Sequence, residues 1–214
     1  MNILYRILCT ACIIAAIATP ALSETDGGAT FSGIYTSDWG RIMLIQDGDK
    51  VLGVYAGQYQ GSIEGKIQDG KLHYRWQQLN GERGRGWFAL SDGGLTGKWG
   101  SRNSEDDGGD WNATLESRPD GGKGPFFGRW QTAWGRVALL HLGSHVMGLY
   151  NGQFKGVIIG SVEGKTLKFE WIQTGEKGRG YFTLNEGDNA FSGKWGSGDS
   201  DSDGGDWNGT KSGD

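Results

Sequence analysis

The chain has 214 residues, a formal net charge of −4, 41 glycines, ten tryptophans and only three prolines. An acidic balance supplies no basic stripe for a phosphate backbone, which argues against nucleic acid as a partner. Glycine at this level often marks disorder, but disordered chains are poor in aromatics. Here large aromatic side chains recur between the glycines, as many short strands joined by tight turns require.

The chain opens with Arg6, an apolar stretch over 7–18, Pro20 and the small-residue site Ala21-Leu22-Ser23. This is the pattern of a secretory signal peptide over 1–23. Its apolar core is shorter than the roughly 20 residues of a spanning helix, and no later segment reaches that length, so no membrane span is expected. Cys9 and Cys12 both fall inside the signal. The mature chain, secreted or periplasmic and starting near Glu24, then has no cysteine and must be held by its core alone. Removing Arg6 from the 21 basic residues leaves 20 against 25 acidic ones, a net charge of −5.

Residues 31–115 return as 126–211, with mostly conservative changes, at an offset of about 95 residues, the signature of a duplicated unit. In the first copy, turn signals such as Asp47-Gly48-Asp49, Asp69-Gly70 and Asp92-Gly93-Gly94 cut the sequence into eight candidate strands. They are 33–39, 41–46, 51–55, 61–67, 71–77, 86–90, 95–100 and 110–115. No helical periodicity appears after the signal. Alternation is clearest where Leu72, Tyr74 and Trp76 interleave with His73, Arg75 and Gln77, and again where Leu167, Phe169 and Trp171 interleave with Lys168 and Glu170. One face is apolar and the other is wet. Eight sequential antiparallel strands with one apolar face bury it by closing into a barrel, which also removes exposed edges. The expected fold is all-β, two tandem eight-stranded antiparallel meander barrels over 31–115 and 126–211, with 116–125 as a linker. One larger barrel or a joint curved sheet is the alternative.

The opening run from Gly33 to Ile45, followed by Gly53-Val54-Tyr55, resembles the first strands of avidin-type up-and-down barrels. The closing Asp110-Trp111-Asn112-Ala113-Thr114 and Asp206-Trp207-Asn208-Gly209-Thr210 are similar to their aromatic-bearing late strand. The resemblance touches about a third of each copy and implies a calycin-like meander. In that family the first hairpin supplies an asparagine and a serine, and the third strand a tyrosine, around the ureido group of biotin. Ser37 and Thr132 stand at the asparagine position, Arg41 and Arg136 at the serine position, and only Tyr55 and Tyr150 match. A guanidinium cannot accept a hydrogen bond from a ureido N–H, so the resemblance implies the fold and not that ligand.

Three groups of residues offer chemistry. Asp199, Asp201 and Asp203 before Gly204, with Asp206 as a later donor, form the first half of a calcium-loop pattern. Asn103, Glu105, Asp107 and Asp110 take those places in the first copy, and the alternative is a solvated acidic hairpin loop. The Gly81-Glu82-Arg83-Gly84-Arg85-Gly86 loop and its repeat around Arg179 set an arginine between glycines, free to offer a planar donor fork to an anion, or to pair with Asp110 or Glu82. Arg41 and Arg136 follow Trp-Gly and carry the same two readings. Trp39 and Trp134, at a rim position, and Trp87 and Tyr181, which alternate outward, are candidates for stacking on carbohydrate, against the alternative that aromatics fill the barrel. Asn112 and Asn208 also fit the N-glycosylation sequon. No histidine recurs between copies and no nucleophile elbow is present. The leading expectation is a non-enzymatic binding module with two equivalent lobes for a carbohydrate or cell-surface ligand. A structural envelope or matrix protein is the second expectation, and a hydrolase using Glu82 and Asp110 the third.

Overall fold

The computed structural model describes residues 30–212, so the expected signal peptide lies outside the described residues. The first copy runs β1 (Gly33–Ser37), β2 (Gly40–Asp47), β3 (Lys50–Gly57), β4 (Gln60–Gln68), β5 (Lys71–Gln78), β6 (Arg83–Ser91), β7 (Gly94–Ser101), the two-residue β8 (Gly109–Asp110) and β9 (Ala113–Ser117). Neighbours pair antiparallel in sequence order from β1 to β7, and β9 returns between β1 and β7 to close an eight-stranded barrel. The second copy repeats this with β10 (Gly128–Thr132), β11 (Gly135–Leu142), β12 (His145–Gly152), β13 (Lys155–Glu163), β14 (Thr166–Gln173), β15 (Glu176–Leu184), β16 (Ala190–Ser197), β17 (Gly205–Asp206) and β18 (Gly209–Lys211). Two closed antiparallel barrels in tandem are the architecture. Among the described residues no helix is long and apolar enough to cross a membrane.

Each barrel is filled by its own side chains. Tyr35, Tyr55, Tyr74, Trp76, Phe88 and Trp111 are buried in the first; Trp130, Tyr150, Phe169, Trp171, Phe182 and Trp207 are buried in the second. Trp111 meets Tyr55, Tyr74 and Phe88 edge-on at ring distances of 5.3, 5.9 and 5.3 Å, and Trp207 meets Tyr150, Phe169 and Phe182 in the same way. Edge-to-face contact suits the ring quadrupoles and adds to the burial of area.

Most strand boundaries shift by a residue or two from the sequence expectation, the first strand ending at Ser37 rather than Trp39, and two differences carry a packing reason. The sixth strand begins at Arg83 rather than Gly86, because Gly84 and Gly86 are inward-facing strand positions and not loop residues. The Trp76 ring lies over Gly84, where a Cβ would stand 2.7 Å from Cζ2, and the Tyr74 ring lies over Gly86 in the same way. Glycine there admits a close ring from the neighbouring strand, which is why so much glycine and tryptophan coexist in one barrel. The eighth strand breaks into β8 and β9 at Trp111-Asn112. Trp111 N donates to Gly97 O at 2.8 Å and Gly97 N donates to Asn112 Oδ1 at 3.1 Å, so a side chain replaces a ladder bond while the indole turns inward. Asn208 and Gly193 repeat the contact, which gives the recurring asparagines a structural role.

The barrels also pack on each other. Ile34, Met43, Ile45, Val54 and Ala56 on the outside of the first meet Leu140, Leu142, Met147 and Val157 on the outside of the second. Strand β2 lies against β11, β3 against β12 and β4 against β13, so equivalent faces meet as in an isologous dimer. The wet outer face expected from β5 does not extend to these strands. Unbroken apolar runs such as Ile42-Met43-Leu44-Ile45 mark burial on both faces. The 116–125 segment is fixed at both ends: Glu116 binds Arg41, Arg118 Nε donates to Ser32 O at 3.1 Å, and Lys123 Nζ reaches Asp47 Oδ2 at 2.6 Å while its backbone bridges to Leu142.

Candidate functional site

At one end of the first barrel the turns are tight, and Phe31, 2% exposed, plugs the floor while its carbonyl accepts the Tyr35 hydroxyl at 2.9 Å. At the other end the β1–β2, β3–β4 and β5–β6 turns and the β7–β8 loop surround an open mouth of about 1390 Å³. Trp39 in the first of these turns is half-buried. Its ring lies 5.8 Å from Tyr59 and meets Trp99 nearly edge-on at 6.2 Å, and Trp99 in turn meets Trp76 at 5.9 Å. The second barrel repeats the chain of rings with Trp134 on Trp195 at 6.0 Å and Trp195 on Trp171 at 5.8 Å. Four large apolar side chains are exposed among the described residues: Leu52, Tyr59, Trp134 and Phe154. Three of them stand at the two mouths, Tyr59 and Phe154 at equivalent positions. Exposed aromatics gathered at equivalent mouths, among described residues whose other aromatics are buried or half-buried, mark an interaction surface.

A polar chain runs beneath the rim of the second barrel. In the second barrel the Tyr150 hydroxyl donates to Gln173 Oε1 at 3.1 Å and Gln173 Nε2 donates to Glu176 Oε2 at 2.6 Å. Tyr55, Gln78 and Glu82 take the same places in the first, but there Gln78 Oε1 is buried without a hydrogen-bond partner. Burial pushes both tyrosine hydroxyls well above their usual range, and the nearby Glu82 or Glu176 carboxylate adds to the rise. They are neutral donors throughout the physiological range.

The acidic loops serve the fold at several points. Asp107 Oδ1 accepts from Ser101 N at 2.8 Å and Asp203 Oδ1 from Ser197 N at 3.0 Å. Asp110 and Asp206 pair with Lys98 and Lys194 at 2.9 and 3.0 Å. Glu105 turns to His73 at 3.1 Å, and Asp199 to Arg179 at 3.1 Å. Asn103 and Asp201 are exposed. Among the described residues no three His, Cys, Asp or Glu side chains converge as a metal group. Gly108 and Gly204 press against the Trp99 and Trp195 indoles, a close approach that only glycine permits and a packing reason for their recurrence.

The remaining expected residues divide between mouth and outer wall. Arg85 and Arg75 point outward, opposite the inward Gly84, Gly86, Tyr74 and Trp76, and form an outer lip of the first barrel's mouth near Arg83 and Arg102. Arg85 pairs with neither Asp110 nor Glu82. Arg41 lies on the outer wall, where its Nε donates to Glu116 Oε2 at 3.0 Å and clamps β2 to β9. Its counterpart Arg136 is exposed on the outer side of β11. Trp87 also faces outward, under Lys71 Nζ at 4.5 Å, and Tyr181 stands opposite Lys168 in the same position of the second barrel. These two aromatics belong to cation-bearing walls and not to the rims. Asp110 is drawn to Lys98, so the structure does not assemble a Glu82–Asp110 pair. Sequence reasoning missed Tyr59, Phe154 and Gln78; the signal available was an aromatic recurring in the polar turns Gly57–Gly61 and Gly152–Gly156. The chain matches no family model, no curated protein and no solved structure.

Proposed function

We propose that the protein is a secreted, non-enzymatic binding module with two mouths, each presenting an aromatic rim to a carbohydrate or cell-surface ligand. The observation that carries this reading is the concentration of exposed aromatics, Tyr59, Trp134 and Phe154, at equivalent mouths over barrels that are otherwise filled. With the interior occupied by Trp76, Trp111 and their counterparts, a ligand rests across the rim, its apolar ring face on an indole or phenol. Two mouths on one chain give avidity toward a repetitive target without any further contact.

A glycan array followed by titration calorimetry of the mature protein tests this, with calcium and then with EDTA so that the acidic loops are tested as metal sites at the same time. The parent protein binds at least one glycan class. Combined Trp39→Ala and Tyr59→Ala replacement weakens the binding by about tenfold or more in a protein that still unfolds cooperatively. Silence of the parent across the array in both conditions refutes the reading, and so does full binding by the rim variant.

A further inference from the structure

The two mouths differ in charge at one place. In the second barrel Arg179 on β15 is neutralised by two carboxylates, Asp199 at 3.1 Å and Glu170 at 4.0 Å. In the first barrel the same position is Arg85, and the residues matching Asp199 and Glu170 are Asn103 and Arg75. One carboxylate has become an amide and the other a second guanidinium. Arg75 and Arg85 stand directly opposite each other in the β5–β6 ladder. Like charges in that relation destabilise a sheet. Arg83 and Arg102 join them at the same side of the mouth, tied by a backbone hydrogen bond of 3.1 Å. Among the described residues none of these four side chains makes an ion pair or a side-chain hydrogen bond. Glu64 faces Arg75 in register without approaching within ion-pair distance, and Asp107 Oδ1 is engaged by Ser101 N.

The geometry points to the arginine side of the first barrel's mouth as a subsite for an acidic oligosaccharide, whose carboxylates take the place that Asp199 and Glu170 fill in the second barrel. This rests on the carbohydrate reading of the rim and gives it a substrate class. The guanidinium forks of Arg75 and Arg85 on the outer lip match planar carboxylates, and the Trp39–Tyr59 rings of the same mouth take the sugar face. Four guanidiniums against Glu64, Glu82 and Asp107 leave this lining net positive by one in a protein of net negative charge, which draws an anionic chain to this mouth in preference to the other.

The test compares a galacturonic acid hexamer with its carboxyl-reduced, neutral counterpart by calorimetry on the mature protein. The acidic hexamer binds about tenfold tighter or more, and that ratio falls toward one in the Arg75→Gln/Arg85→Gln variant. It falls likewise when Arg75→Glu and Asn103→Asp install the second barrel's carboxylates. Equal binding of the two sugars overturns the acidic subsite while leaving the rim reading in place. A ratio retained in both variants overturns it as well, as does a glutamate hexamer that binds as tightly as the sugar. Silence toward both sugars overturns the subsite, and the glycan array then decides separately whether the rim reading stands.

Discussion

Gly108 is the residue whose replacement most directly reports how the mouth is built. A Cβ at this position would find all three of its nearest heavy atoms in the Trp99 indole, at 2.5, 2.5 and 2.7 Å. Trp99 cannot yield freely, because Trp39 and Trp76 flank it nearly edge-on at 6.2 and 5.9 Å. Forcing a methyl into such a contact costs about 1–3 kcal/mol, while Gly→Ala removes about 0.4–1 kcal/mol of unfolded-chain freedom, so the net loss for Gly108→Ala is about 0–2.6 kcal/mol. In a Trp99→Leu background the clash is gone and the same replacement becomes neutral or stabilising by up to about 1 kcal/mol. The two sites then couple by about 1–3 kcal/mol in a double-mutant cycle measured from urea midpoints at unchanged slope. An equal cost in both backgrounds refutes the contact and, with it, the account of why glycine recurs here. The matching cycle on Gly204 and Trp195, with a Cβ approach of 2.5 Å, behaves alike.

Two further outcomes concern the junction between barrels. His141 is 2% exposed; Phe126 N can only donate, to Nδ1 at 3.2 Å, and Gly143 O can only accept, from Nε2 at 2.9 Å, so the ring is neutral with its proton on Nε2. Burial holds its pKa below the ordinary 6.5, against a smaller opposite pull from the Gly143 carbonyl. The unfolded chain therefore binds the proton first: stability is complete above pH 6.5 and falls as the pH drops from there toward the folded-state pKa, a slope that His141→Gln removes. Identical pH profiles for parent and variant refute this. Met147, 1% exposed and outside its own barrel, loses about 2–5 kcal/mol on replacement by Ala as measured by urea unfolding, whereas a solvent-facing wall would lose within about 0.5 kcal/mol.

Much of this architecture was legible in the sequence because period-2 patterning and turn residues are local properties. The alternation through Leu72, Tyr74 and Trp76, the Asp-Gly turns and the repeat itself specify strands, their inward faces and a duplicated unit, while the closure of each copy into its own barrel is decided by the pairing of β9 with β1 and β7 and of β18 with β10 and β16. Sequence also named Trp39 and Arg85, which do reach the first mouth. It set Trp87 and Tyr181 on the outer face, where they stand, but not what they meet there, since whether an outward aromatic meets ligand, cation or another sheet depends on what folds over it. The Gly84 and Gly86 positions read as a loop because a glycine beneath a neighbouring strand's ring looks, in one dimension, like a glycine in a turn. Only the closed register decides that Asp110 goes to Lys98, that Asp107 is a backbone acceptor, and that the outer faces of β2, β3, β11 and β12 are a core of their own. Those outcomes depend on residues far apart in the chain, such as Met43 and Met147 in one shared cluster or Arg41 paired with Glu116, and no local pattern carries the geometry that brings them together.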